Sequence, residues 1–170
     1  SESVLDAGLI YAGTDDGNVQ VTRDGGKSWK LVNKGLPKKW VSRVRASQHS
    51  EQTVYVTLTG YREDDFDKYI YKSTNYGKNW RSISGNLPAE PINVVTEDPR
   101  NPNILYVGTD LGAYVTTDGG ENWHILATGL PTVAVHDLVV QERELDLVAG
   151  THGRSIFVLD IEEIKGLIKD

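Results

Sequence analysis

Glycosidic bond hydrolysis uses two carboxylates roughly 5–10 Å apart across the bond. The acids placed to form such a pair here are Asp64, Asp65 and Asp67, crowded into residues 60–69, and Asp110. The same stretch holds Tyr61, Arg62 and Tyr69. Clustered carboxylates also suit Ca²⁺, and Tyr with Arg suits a sugar or carboxylate. The segment lacks the Asp-x-Asp-x-Asp-Gly spacing of a calcium loop, so no metal site and no cofactor is assigned, and a solvated acidic loop is the plainer reading. His136 beside Asp137 invites a catalytic dyad, but adjacent strand residues point to opposite faces of a sheet and address one centre only through a bulge. His152, Arg154 and Arg43 remain as groups able to meet a ligand carboxylate, a sulfate or an acid across an opening.

Composition narrows the classes. The 170 residues carry 18 Lys+Arg against 24 Asp+Glu, a net charge of −6, and no Cys. A disulfide framework, a zinc-thiolate site and a thiol nucleophile are excluded. A phosphate-binding face needs a basic patch, and the cations here are few and scattered, so nucleic acid is not an expected partner. No apolar run approaches the ~20 residues of a membrane span, so membrane insertion is not expected. The length corresponds to one domain, or part of one, at roughly 100–200 residues per domain. Glycine, at 17 residues, exceeds its usual share of about 7%.

The glycine excess is patterned. Thr22-Arg23-Asp24-Gly25-Gly26-Lys27-Ser28-Trp29, Ser73-Thr74-Asn75-Tyr76-Gly77-Lys78-Asn79-Trp80 and Thr116-Thr117-Asp118-Gly119-Gly120-Glu121-Asn122-Trp123 share the form S/T-x-D/N-x-G-x-x-W, with tryptophans 51 and 43 residues apart. Each octad follows a β-branched run and precedes Gly35-Leu36-Pro37, Asn86-Leu87-Pro88 or Gly129-Leu130-Pro131. The third period reads as four short strands, near 92–97, 104–109, 113–117 and 123–127, separated by turn residues. Four antiparallel strands in ~40–50 residues is the period of a propeller blade. The octad then lies between a blade's third and fourth strands. There the Asp or Asn oxygen and the Ser/Thr hydroxyl satisfy turn N–H groups, Gly supplies the backbone conformation, and Trp buries surface beside the hairpin. Asp24, Asn75 and Asp118 are thereby expected to hold turns. The last ten residues alone show helical spacing, with Asp160 and Glu163 as a capping box.

These octads resemble the Asp-box, or BNR, repeat of sialidase-like and xyloglucanase-like propellers and of the sortilin (Vps10) domain. Residues 13–21, 131–138 and 150–154 resemble the C-terminal part of bacterial Vps10/sortilin-like BNR-repeat glycosyl hydrolase proteins. The resemblance implies an all-β propeller segment, an exported location and structural boxes at Thr22, Asp24, Gly26, Trp29, Ser73, Asn75, Gly77, Trp80, Thr116, Asp118, Gly120 and Trp123. It leaves the reaction open. The expected architecture is about 3.5 four-stranded blades over residues 1–160 (about 8–34, 40–85, 91–128 and 133–160) with a short helix over 161–170. The strand count is 3+4+4+3, because the first unit lacks its opening strand and the last lacks a box. Such a set does not close a ring tidily. A terminal part of a larger propeller is expected, with self-association through the open blade edges as the alternative. The functional expectation is a non-catalytic binding or scaffold segment for a glycan, peptide or partner domain. The alternative is part of a glycoside hydrolase whose site is completed by absent blades. Ligand candidates on the face opposite the boxes are Arg43, Tyr61, Arg62, Tyr69, His136, His152 and Arg154.

Overall fold

A computed structural model describes residues 1–126 and 129–162. Its strands are β1 (Ile10–Gly13), β2 (Val19–Thr22), β3 (Lys30–Leu31), β4 (Trp40–Ala46), β5 (Val54–Gly60), β6 (Asp65–Ser73), β7 (Arg81–Ser82), β8 (Ile92–Glu97), β9 (Leu105–Thr109), β10 (Ala113–Thr116), β11 (His124–Ile125), β12 (Val135–Gln141), β13 (Asp146–Thr151) and β14 (Ile156–Asp160). They build four antiparallel sheets in chain order, β1-β2-β3, β4-β5-β6-β7, β8-β9-β10-β11 and β12-β13-β14. These are blades 1 to 4 of a partial propeller. The inner strands β4, β8 and β12 stand side by side, with β1 against β4.

Burial shows why the sequence alternates in some strands and not in others. β9 lies in a blade with a neighbour on each face, and every one of its residues is buried. Such a strand reads as a continuous apolar run. β13 belongs to an end blade and alternates between buried and half-buried residues. Apolar cores accordingly sit between blades: Leu58 and Val19 between blades 1 and 2, Ile70 and Leu105 between 2 and 3, Tyr106 and Leu147 between 3 and 4. Fully burying an aliphatic side chain of this size contributes about 1.5–3 kcal/mol.

Three details differ from the sequence reading. Blade 1 does have the end of an inner strand: Glu2 bridges Ile10, and Ser3 N–H donates to Leu9 O at 2.9 Å. In register, Glu2 stands where Ala46 and Glu97 stand in blades 2 and 3. The outer strand of blade 3 is only His124–Ile125, shorter than 123–127, and Ala127 lies outside the described residues. The long connection of blade 2 is mostly sheet, because β5 runs to Gly60 and β6 starts at Asp65 around a 3₁₀ turn at Tyr61–Glu63. A helical turn opens at Ile161 and Glu162, with Asp160 Oδ1 accepting the Glu162 N–H at 2.8 Å. The rest of the expected helix, including Glu163, lies outside the described residues.

Candidate functional site

The octads form the same turn three times. Thr22 Oγ1 donates to Asp24 Oδ1 at 2.7 Å and accepts from Gly26 N–H at 2.9 Å. Ser28 donates its N–H and its hydroxyl to the two Asp24 oxygens at 2.9 and 2.6 Å. In blade 2, Ser73 and Asn75 repeat this with Gly77 N–H and Asn79 N–H, each at 2.9 Å. In blade 3, Asp118 accepts from Thr116 at 2.7 Å, Glu121 N–H at 3.0 Å, and Asn122 N–H and amide at 2.9 and 2.8 Å. The Ser28 hydroxyl and N–H hold the Asp24 carboxyl at about 2. Partial burial pushes Asp118 up, but the Asn122 and Thr116 donors outweigh it and hold that carboxyl at about 2 as well. Each oxygen is occupied, so the box acids are neither proton donors at neutral pH nor free ligands.

On the opposite face, the blade 2 hairpin gathers most of the sequence candidates. Lys39 Nζ bridges Glu63 at 2.6 Å and Asp65 at 2.9 Å. Asp65 also accepts the Tyr69 hydroxyl at 2.8 Å and the Asp67 N–H at 3.0 Å. Lys39, then those two donors, hold the Asp65 carboxyl at about 2, which disqualifies it as a general acid at neutral pH. Asp64 takes the left-handed turn position at φ 56°, and Asp67 caps the Lys68 N–H at 2.8 Å. Asp110 accepts from the Asn93 amide at 2.9 Å. The Arg62 guanidinium carbon lies over the Trp40 ring, 3.9 Å from its centroid, and Tyr61 meets Phe66 edge-on at 5.9 Å. Tyr61 and Phe66 are 60% and 48% exposed, so this aromatic pair faces solvent. Trp40, Asp15, Thr59 and Arg62 enclose a recess of about 190 Å³.

The inner edge carries the second group. Each inner strand bulges near its start, between Val41 and Arg43, Ile92 and Val94, and Val135 and Asp137. The bulge at His136 removes the alternation that would have separated it from Asp137. The two nonetheless do different things. Asp137 pairs with Arg43 of blade 2 at 3.0 Å, and Arg43 also donates to His136 O at 3.2 Å. The His136 ring packs on His152 at 5.4 Å. Arg154 is exposed and forms no hydrogen bond or ion pair among the described residues. The Arg43–Asp137 bridge spans a cleft of about 730 Å³ between the inner strands, lined also by Arg45, Thr96 and Glu142. Most sequence candidates therefore fall into two clusters, one on the blade 2 hairpin and one where blades 2 and 4 approach, while Asp110 stands apart on blade 3 beside Asn93. Among the described residues no group of three His, Asp or Glu side chains is placed to hold a metal ion.

Sequence reasoning missed two buried acids. Glu97 of blade 3 accepts the Ser47 hydroxyl at 3.0 and 2.9 Å, Gln48 N–H at 2.7 Å and the Tyr55 hydroxyl at 2.9 Å, all from blade 2. Asp98 accepts the Tyr106 hydroxyl at 3.1 Å and the Arg100 and Asn101 N–H groups at 2.9 and 3.1 Å. The available signal was Tyr11, Tyr55 and Tyr106 recurring in the strand beside each inner strand, since a buried hydroxyl needs a partner.

Four antiparallel sheets packed side by side, with the octad turns in three of them, define a β-propeller segment. The family model described as "Sortilin, neurotensin receptor 3" matches residues 17–158, and the chain belongs to this sortilin–Vps10 family. The vacuolar protein sorting/targeting protein 10 of Laccaria bicolor is 33% identical over 105 residues, covering 59% of this chain and 6% of its own length. The photosystem II assembly lipoprotein Ycf48 of Picosynechococcus is 44% identical over 54 residues, covering 31% of this chain and 15% of its own. Among solved structures, the GH74 xyloglucanase of Xanthomonas campestris superposes with a TM-score of 0.71 at 14% identity, over 95% of this chain and 29% of that one. Ycf48 bound to D1 peptide superposes at 0.67 and 18% identity, over 93% of this chain and 49% of that one. At these identities the structures establish the fold. The chain spans a small part of the curated relatives it matches.

Proposed function

We propose that the chain is a non-catalytic part of a larger propeller, whose blades form a scaffold and whose face opposite the boxes receives a peptide, glycan or partner domain. The observation that carries this reading is how the two faces spend their polar groups. The box acids are consumed in turns, and Asp65 and Asp110 are tied to Lys39 and Asn93. The loop face instead leaves Tyr61, Phe66, His152 and Arg154 exposed. Exposed aromatic and cationic groups on a rigid frame suit recognition of a partner surface. The peptide bound by the structurally similar Ycf48 supports this direction.

The test compares the chain with a Tyr61→Ala/Phe66→Ala variant on peptide and glycan arrays, beside hydrolysis assays on β-glucan and sialoside substrates. Binding that falls about tenfold or more in the variant, equivalent to about 1.4 kcal/mol, with no sugar released by either protein, is the expected result. Sugar release by the chain, or binding indifferent to both aromatics and to Arg154→Ala, contradicts the reading.

A further inference from the structure

Two of the seams between blades reuse one set of parts, and the outer face of blade 1 carries that set without a partner among the described residues. At the seam between blades 2 and 3, the box tryptophan of blade 3 reaches back: Trp123 Nε1 donates to Ile83 O, just beyond the outer strand of blade 2, at 2.9 Å. Gly120, at φ 99°, lets Ile83 approach so closely that a Cβ there would stand 2.7 Å from Ile83 Cβ. The seam between blades 1 and 2 repeats this. Trp80 Nε1 donates to Val32 O at 2.6 Å, and a Cβ on Gly77, at φ 80°, would stand 2.8 Å from Val32 Cγ2. Each of these two seams is thus a socket of glycine and tryptophan that receives a β-branched residue and its carbonyl from the blade before.

In blade 1 the socket is built and open. Gly26 has φ 91° and nothing within 4 Å of a Cβ position, and Trp29 is 41% exposed where Trp123 is 4% exposed. A second, separate feature points the same way. Glu2 holds the register position of Glu97, the acid that accepts Tyr55, Ser47 and Gln48 of the preceding blade. Glu2 is exposed and makes no side-chain hydrogen bond or ion pair among the described residues.

The geometry points to a docking surface on blade 1 for one further four-stranded blade, lying outside residues 1–170. That blade presents a β-branched outlet residue with a free carbonyl to Gly26 and Trp29, and a tyrosine hydroxyl to Glu2. The inference rests on the ring-forming part of the proposed function and adds the chemistry of the joint. Among the described residues a second copy of this chain does not supply the outlet: Val32 and Ile83 are occupied by Trp80 and Trp123, and Leu126 is buried against blade 4.

The register defines the test. Residues 40–95 carry Ser47, Gln48, Tyr55 and Ile83 and end one position short of Thr96, which aligns with Ser1. A copy of 40–95 joined directly to Ser1 therefore places a complete blade against blade 1, and a second version with two added glycines at the junction relaxes its geometry. Indole N–H exchange is read by NMR in the 170-residue chain and in both extended chains. Trp29 is expected to exchange freely in the former and to become protected several-fold, like Trp123, in at least one extended chain, with Glu2→Ala weakening that protection. An added blade that folds and raises thermal stability while Trp29 still exchanges freely overturns the joint and leaves the larger-propeller reading standing. Proteolysis that trims both extended chains back to blade 1 overturns both. Self-association of the 170-residue chain that Trp29→Ser abolishes assigns the surface to a second copy and overturns the proposed occupant.

Discussion

The seam between blades 1 and 2 and the seam between blades 2 and 3 share a backbone plan and differ at one buried position. Both are locked by a box tryptophan on a carbonyl of the preceding blade. In the second seam Glu97 accepts the Tyr55 hydroxyl. In the first, Ala46 occupies the matching register position, and the buried Tyr11 hydroxyl has no hydrogen-bond partner among the described residues. Burial pushes Tyr11 up to about 12, and burial together with Glu97 raises Tyr55 well above its usual value. The repeat therefore transmits the frame, while individual side chains decide how firmly each pair of blades is joined.

The largest effect that would sharpen this contrast is at Trp123. Trp123→Ala removes a buried ring and the bond to Ile83 and is expected to cost about 3–5 kcal/mol in urea unfolding. Trp29→Ala, at the open socket, is expected to stay within about 0.5 kcal/mol. Equal costs would mean that the preceding blade contributes nothing to a box.

Asp118→Ala is expected to cost about 1–3 kcal/mol, because the Glu121 and Asn122 N–H groups lose their acceptor, with ligand affinity unchanged. A large affinity loss at normal stability would assign the box to binding. Between the seams, Tyr55→Phe leaves Glu97 short of a donor and is expected to cost about 1.5 kcal/mol, whereas Tyr11→Phe deletes an unpartnered hydroxyl and is expected to be neutral or slightly stabilising. Matching costs for the two would remove the distinction between the seams.

The smallest effect lies in acid. Asp24, Asp65 and Asp118 sit at about 2 in the folded chain, against roughly 3.9 when unfolded. The unfolded chain binds the protons more tightly, so their stabilisation is complete above about pH 4 and is lost as pH falls towards 2. Asp118→Asn, which copies the natural Asn75 box, is expected to flatten that loss in a pH series of thermal midpoints. An unchanged acid limb would contradict the assignment.

Much of the fold was legible because it repeats. Three octads at nearly fixed spacing carry their own hydrogen-bond partners within eight residues, so local chemistry alone implies the turn. The 3+4+4+3 strands followed from the same period. The site was less legible, because its contacts join residues far apart in the chain. Lys39 and Asp65, Arg43 and Asp137, and Glu97 and Tyr55 meet only once blades stack. The bulge at His136 was equally hidden, since nothing in Val135-His136-Asp137 announces a register shift. The place of Glu2 became visible only through its pairing with Ile10.

Hydrogen exchange across the three boxes of the 170-residue chain reads both the local turn and its neighbour at once. Slow amides at Gly26, Gly77 and Gly120 are predicted in all three boxes, with slow indoles at Trp80 and Trp123 and a fast one at Trp29. Box amides that exchange as freely as loops, or three indoles that exchange alike, would contradict the reading of these octads as clasps that lock each blade onto the one before it.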